Sequence, residues 1–528
     1  MFGTPTQSHR PNTLAEQYLD LARENLPVVD RVLCEHGDNS LFDYVRSLKC
    51  GSTPSYQPRD DLFEVLERLT RPLLGASVAG KAARDLAEFP LILTANHHGV
   101  NSVSQSFQGS LIFALNALQG AVPTRTICVF SCGNVPMNNS EYPRGLLLYH
   151  LYPDRDFSAI KFPIFPDKYK RCMVSATPGF DEGMLKRARG TVARMLQSGR
   201  IPAGYGAVLR SLLCEEYGRD SVVHLQSYSE QSVVLNHRIW KKLFKEQVKS
   251  PEMVYVEIER VAAELLQQDL LNPNSLAYNI MFDPLLREGV LCDLDGVRGC
   301  WELKHLSDGM APRSSGQRIS HGHGTVFFWG IDHSRKRVPL RLREEGVKGL
   351  MLCGIDDRGD LFCLPFTPQT LIENMQSGRL LPSLFSCFLT LAFARGVVCV
   401  GGYFQAEYLP EMQRRLARAL HRSGGYGDAA ESVDRVKTDN YLSGMQAVMI
   451  KADKDHLISA GPIEILTAGP LGKEDIERMA QVSVRDAHLA GLFDTAPDAI
   501  PSRLLPSGWS SQLASECNTL LRDSIVVK

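Results

Sequence analysis

The chain has 528 residues, 44% of them hydrophobic and 22% charged, with a formal net charge of −1 at pH 7. That length exceeds what one hydrophobic core supports, and the composition excludes a wholly disordered chain. The near-neutral balance excludes the basic face through which proteins hold nucleic acid, and no apolar run is long enough to cross a bilayer; neither partner is expected.

The thirteen cysteines include no CxxC pair. Most lie in apolar strings such as "SLFSCFLTLAF", where cysteine acts as a small buried hydrophobe. An odd count without small-domain spacing points to a reducing, cytoplasmic compartment rather than a disulfide framework. The start, "MFGTPTQSHRPNTLAEQ", has no charged region followed by an apolar one, so no signal peptide is expected.

Residues 12–50 carry apolar positions at helical spacing, with Thr13 and Glu16 placed as a capping box. "GSTPSYQPRDD" reads as a linker, and "LFEVLERLTRPLL" as a further helix. From 90 to 210 a short apolar strand, a polar corner and a helix recur three times. The strands are "LILTA", "TICVFSC" and "KFPIFP", and "LLLYHLY" is read as a short helix. Such alternation implies a mostly parallel sheet with crossover helices, whose ligands bind beyond the carboxyl ends of the strands.

Residues 220–290 read as mainly helical, and 305–324 as a long turn-rich loop. Two hairpins follow: "TVFFWGID" and "RVPLRL" around "HSRK", then "GLMLCGID" and "DLFCLPF" around "DRG". "PIEILTAGPLGKEDIERMAQVSVRDAHLAGLF" suggests one more strand and two helices. The fold class is therefore α/β, with a mostly parallel sheet and crossover helices in the N-terminal half and a mixed or antiparallel β segment with helices in the C-terminal half. The expected divisions are a helical segment (1–80), an α/β core (81–215), a mainly helical segment (216–305), a hairpin-containing lobe (306–420) and a C-terminal α/β segment (421–528).

Three stretches carry candidate chemistry. In "TANHHGVNSVSQSFQG" two imidazoles, His97 and His98, stand at a strand's end with Asn96, Asn101 and Gln105 nearby. Neighbours leaving a strand point to opposite faces, so one histidine is expected to face the crevice as a base and the other to prop the corner. The condensation-type HHxxxDG and the lysophospholipid acyltransferase NHxxxxD patterns both begin here, but Ser102 stands at the acidic position of each. In "SCGNVPMNNSEYPRG" Cys132 is a candidate nucleophile, Asn134 a hydrogen-bonding group, and Arg144 a guanidinium for a carboxylate or phosphate. In "RISHGHGTVFFWGIDH" the HxH pair His321 and His323 has the spacing of two ligands to a divalent metal such as zinc. His97, His98, Asp332, Asp356 or Asp357 could supply a third.

Two further tips are weaker. "GVVCVGGYFQAE" places Gln405 after a double glycine, where backbone can approach a substrate. "VLCDLDGVRGCW" resembles the opening motif of haloacid-dehalogenase-like phosphatases at Asp293 and Asp295, but that family's later motifs are not where it would place them, and a helix-ending turn is preferred.

The combined expectation is an enzyme for hydrolysis or group transfer at a carbonyl of a small polar, anionic substrate. Its crevice lies where the NHHG corner meets the HGHG loop, with the loop 306–320 as a lid. A metal-free acyl or aminoacyl transferase with a histidine base, and a non-catalytic binding or scaffold protein, stay open. So does homo-oligomerisation.

Overall fold

The structure is a computed structural model that describes residues 13–48, 55–120, 126–151, 158–308 and 321–528. The apolar runs "LIL" and "TICVFS" form β1 (Leu91–Leu93) and β2 (Thr126–Ser131), and all six residues of β2 are buried. Only a strand covered on both faces can be apolar throughout.

The remaining strands, in chain order, begin with β3 (Gly145–His150), β4 (Ser158–Pro163) and β5 (Glu252–Glu257). β6 (Phe328–Ile331), β7 (Arg337–Pro339), β8 (Arg341–Glu344), β9 (Leu350–Ile355), β10 (Leu361–Pro365) and β11 (Leu380–Pro382) form the hairpin region. β12 (Val398–Gly402), β13 (Tyr441–Ser443), β14 (Val448–Lys451), β15 (Leu457–Ser459) and β16 (Val526–Val527) complete the set.

The main sheet has five parallel strands in the order β13-β12-β1-β2-β5. Its register sets Leu93 beside both Val400 and Val129, and Ser131 beside Glu257. Alternate side chains feed two cores. Leu93, Val129, Tyr255 and Val400 pack under the helices of the N-terminal 48 residues and the C-terminal helices. Ile92, Phe130, Val254 and Cys399 pack under the helices of residues 60–88, 258–306 and 384–436. The result is a three-layer α/β arrangement.

The hairpins form as expected: β6 with β7 and β9 with β10, both antiparallel. Thr13 caps its helix by accepting from Glu16 N–H at 3.2 Å, and Asp293 ends the helix Pro284–Asp293. Residues 51–54 of the expected linker and 309–320 of the expected lid lie outside the described residues.

Three elements differ from expectation. "GLLLYH" is a strand, paired antiparallel with β4 in a separate two-stranded sheet, so "KFP" is not a third parallel strand. That place is taken by "EMVYVE" from the segment read as helical. Its helical reading arises because β5 runs straight into the helix Ile258–Asp269 without a turn. "PIEILTA" is a helix, Pro462–Ala468, started by Pro at its first turn and by Glu464, which accepts from Gly461 N–H at 2.9 Å.

The free cysteines Cys128, Cys172, Cys300, Cys387, Cys399 and Cys517 are buried, but Cys353 and Cys363 are disulfide-bonded. These two stand directly opposite each other on β9 and β10, a cross-strand pairing that sequence spacing alone does not reveal. Among the described residues no helix is long and apolar enough to cross a membrane.

Candidate active site

Because β1 and β2 are parallel neighbours, their polar corners leave the sheet side by side. The backbone ties them: Cys132 N–H donates to Asn96 O and His98 N–H to Cys132 O, each at 2.8 Å. Beyond them lies a cavity of about 470 Å³. It is lined by His97, Cys132 and Asn134 from the two corners and by Glu259 from the end of β5. Residues 296–302, 322–325, Trp329 and Arg337 close the opposite side.

The two histidines divide as the pleat requires. His97 faces the cavity with its side chain 30% exposed. Its Nδ1 lies 3.1 Å from Asn139 Oδ1 and 3.3 Å from Glu141 Oε1. The Asn139 orientation is fixed, since its Oδ1 accepts from Glu141 N–H at 2.8 Å and its Nδ2 donates to Pro136 O at 2.8 Å. Two acceptors at Nδ1 place the proton there and leave Nε2 with its lone pair. Glu141 also accepts from the His97 backbone N–H at 3.2 Å, and Tyr255 donates to His97 O at 2.8 Å. The carboxylate beside His97 thus comes from the second corner and not from position 102. Ser102 Oγ instead accepts from Leu147 N–H at 3.0 Å.

His98 is fully buried, and burial pushes its pKa down to about 4. Its Nδ1 meets Ser131 Oγ at 2.7 Å, and Ser131 in turn donates to Val256 O at 3.0 Å. Its Nε2 meets Ser229 Oγ at 2.9 Å, and that hydroxyl lies 2.8 Å from Glu257 Oε2. Burial, with Glu259 close by, pushes Glu257 up to about 8. The Ser229 hydroxyl donates to Glu257, and His98 Nε2 also lies 3.2 Å from the Ser229 backbone carbonyl, so both ring nitrogens of His98 are held by groups of the protein interior. His98 therefore props the corner and does not enter the cavity.

Cys132 lines the cavity with its thiol turned onto a carboxylate. Its thiol donates to Glu259 Oε1 at 3.1 Å, and burial and the Glu259 charge together raise its pKa well above the usual thiol range. Glu259 also accepts from Gly133 N–H at 2.7 Å and Asn134 N–H at 3.0 Å, so the β2 tip is wrapped around a carboxylate.

Most of the expected substrate-binding residues are committed elsewhere. Arg144 is buried, ion-paired to Asp167 and bonded to Tyr142 Oη at 3.2 Å. Asn101 N–H donates to Asn236 Oδ1 at 2.9 Å, while its own Oδ1 accepts from Ser106 at 3.0 Å. Gln105 donates to Tyr403 Oη at 3.1 Å, and Gln405 to Thr94 Oγ1 at 2.8 Å. Asn96 is buried at the strand junction. None of these five lines the cavity, whereas Asn134 does.

Two arginines not singled out in the sequence, Arg298 and Arg337, are also among the lining residues. Arg298 lies with Cζ 4.1 Å from the Phe404 ring centre, and Arg337 with Cζ 4.5 Å from that of Trp329. Arg337 also donates to Asn134 O at 3.1 Å. Among the described residues neither has a carboxylate within ion-pair distance, but the Arg298 guanidinium lies over Phe404 in the neighbouring pocket beside Glu407 and Glu411, whereas Arg337 lies against Trp329 in this cavity's wall.

His323 lines the same cavity; for His321 only its place in the turn His321–His323 is described. Glu302, His305 and His323 bring ligand atoms within 4.8 Å of one another, a spacing that could hold a metal ion.

No protein-family model, no curated protein and no solved structure matches this chain. The functional reading rests on the geometry of the cavity.

Proposed function

We propose that the chain is an enzyme catalysing hydrolysis or group transfer at a carbonyl of a small, anionic substrate, with His97 as general base. The observation that carries this reading is the environment of His97. Its Nδ1 is held between Asn139 and Glu141, while the ring faces a cavity whose wall carries the Arg337 guanidinium, free of ion pairs among the described residues.

In that cavity His97 Nε2 removes a proton from water or from an acceptor hydroxyl as its oxygen attacks the carbonyl. Glu141 stabilises the imidazolium that forms, and the same proton then passes to the leaving group as the tetrahedral intermediate collapses. Arg337 holds the substrate's anionic group and opposes charge that develops on the carbonyl oxygen. Glu259 accepts three hydrogen bonds from the β2 tip and fixes the cavity wall against which the substrate rests.

The test is a turnover screen of the purified chain against esters, thioesters and amides that carry a carboxylate or phosphate. The expected result is a preference for the anionic members and a loss of about 10²–10⁴-fold in kcat for His97→Ala. Turnover unchanged in His97→Ala removes the base. Binding of an anionic compound without turnover of any panel member favours a non-catalytic binding protein.

A further inference from the structure

We propose that Glu302, His305 and His323 form a site for a divalent transition metal, zinc among them, at the rim of the same cavity. The site goes beyond the His97 reading and does not depend on it. Glu302 and His305 are three residues apart at the start of the helix Leu303–Asp308, the spacing that stacks two side chains on one helical face. His323 arrives from the turn His321–His323.

The two segments are locked by their backbones. Trp301 pairs with Gly324 in an antiparallel bridge, and Glu302 N–H donates to His323 O at 2.9 Å. Gly324 has φ +71°, and a Cβ there would stand 1.8 Å from Cys300 O, so only glycine permits this approach. Trp301 anchors the unit, with its ring against Phe327 and Phe385 and its Nε1 donating to Leu291 O at 3.0 Å.

The donors converge on this rigid base. His323 Nδ1 lies 2.7 Å from Glu302 Oε2, and His305 Nε2 lies 3.5 Å from the same oxygen. The two imidazoles are stacked with centroids 4.1 Å apart and planes 23° from parallel, so one ring must turn out of the stack for both nitrogens to aim at one ion. A tetrahedral zinc with bonds of about 2.0–2.2 Å needs ligand atoms separated by about 3.3 Å, and the three side chains bring theirs within 4.8 Å of one another. Two imidazoles and one carboxylate are borderline donors that suit zinc better than magnesium or calcium, which take oxygen ligands. Three protein ligands leave a fourth position for water or a substrate oxygen, and both Glu302 and His323 line the cavity.

The experiment is titration of the chelator-treated full chain with Zn²⁺, followed by calorimetry and by the Tm, alongside His305→Ala, His323→Ala, Glu302→Gln and His97→Ala. The expected result is one equivalent bound by wild type, a metal-dependent rise in Tm, and affinity reduced at least about 10-fold in each ligand variant. His97→Ala should bind Zn²⁺ like wild type. A visible spectrum of the Co²⁺-loaded protein that changes in His323→Ala but not in His97→Ala supports the assignment independently of stability. Equal Zn²⁺ affinity in wild type and all three ligand variants overturns it, as does binding only at millimolar metal. Loss of turnover in His97→Ala with metal binding intact leaves both proposals standing.

Discussion

Glu141 grips His97 at two points: Oε2 accepts its backbone N–H at 3.2 Å, and Oε1 lies 3.3 Å from its ring Nδ1. One carboxylate thus fixes both where the chain turns and which ring nitrogen carries the proton. The two residues are 44 positions apart in sequence, and they meet only because β1 and β2 end side by side.

Replacing Glu141 by Gln should therefore damage catalysis without moving His97 far. A glutamine can present an amide donor to Nδ1, which favours the tautomer with the proton on Nε2. Asn139 still accepts at Nδ1, so we expect kcat to fall by about 10–100-fold with KM little changed. Steady-state kinetics on the best substrate of the screen measure this.

Cys132 should be dispensable for chemistry. Its thiol is held neutral by burial and by Glu259, so Cys132→Ser should retain turnover within about threefold. Mass spectrometry after iodoacetamide treatment at pH 7.5 should find the exposed Cys34, Cys214 and Cys292 modified and Cys132 spared. Rapid alkylation of Cys132 with parallel loss of activity would restore it as a nucleophile.

The buried chain through His98 gives stability a defined pH dependence. Glu257 titrates at about 8 in the folded protein against 4.5 as an ordinary glutamate, so the folded state holds its proton more tightly. Its contribution is complete below pH 4.5 and is lost as pH rises through 8. His98 acts in the opposite sense: its contribution is complete above 6.5 and is lost as pH falls through 4. In Glu257→Gln the amide oxygen can still accept from Ser229, and the side chain no longer titrates. Its stability relative to wild type should therefore rise by about 1–3 kcal/mol between pH 5 and pH 9. Urea unfolding at several pH values reads this difference; a flat or falling one contradicts a protonated Glu257.

Arg395 should be the costliest ion-pair residue to remove. It is fully buried, with Nη2 2.5 Å from Asp61 Oδ2 and 2.8 Å from Asp269 Oδ1. It joins the helix Asp60–Leu74 to the helix Ile258–Asp269. Arg395→Ala strands Asp269 in the interior and should cost about 3–5 kcal/mol by urea unfolding. Arg395→Ala combined with Asp61→Asn and Asp269→Asn should recover part of that loss.

The parallel sheet is legible wherever a strand announces its end. "LILTANHHG", "FSCGN" and "VCVGGYF" each pass from an apolar run to polar or glycine residues, and β1, β2 and β12 all lie where those runs predict. "MVYVEIERVAAELL" hides β5 because strand and helix share a continuous apolar pattern, with Glu257 itself as the junction. "GLLLYH" misleads because a fully buried strand has no alternation to distinguish it from a buried helix.

The site divides in the same way. The opposed roles of His97 and His98 follow from the pleat alone, and the shared cavity of the NHHG and HGHG segments is where the sequence pattern points. Glu141, Glu259, Arg298 and Arg337 sit in stretches that read as a turn, a helix face, a helix-ending turn and a strand start. What places them near the site is proximity in space, which spacing does not encode. Arg144 shows the converse: a well-placed guanidinium in sequence is taken up by Asp167 in space.

The central claim is that His97 presents an unprotonated Nε2 to the cavity, and it can be tested without knowing the substrate. The measurement is a long-range ¹H–¹⁵N correlation spectrum of protein labelled at its fourteen histidines, with His97 assigned by its absence in His97→Gln. The predicted result is a proton on Nδ1 and a bare Nε2 at pH 8, with the tautomer shifting in Glu141→Gln. A proton on Nε2 in the wild-type protein, unchanged by Glu141→Gln, would contradict the assignment of His97 as the base.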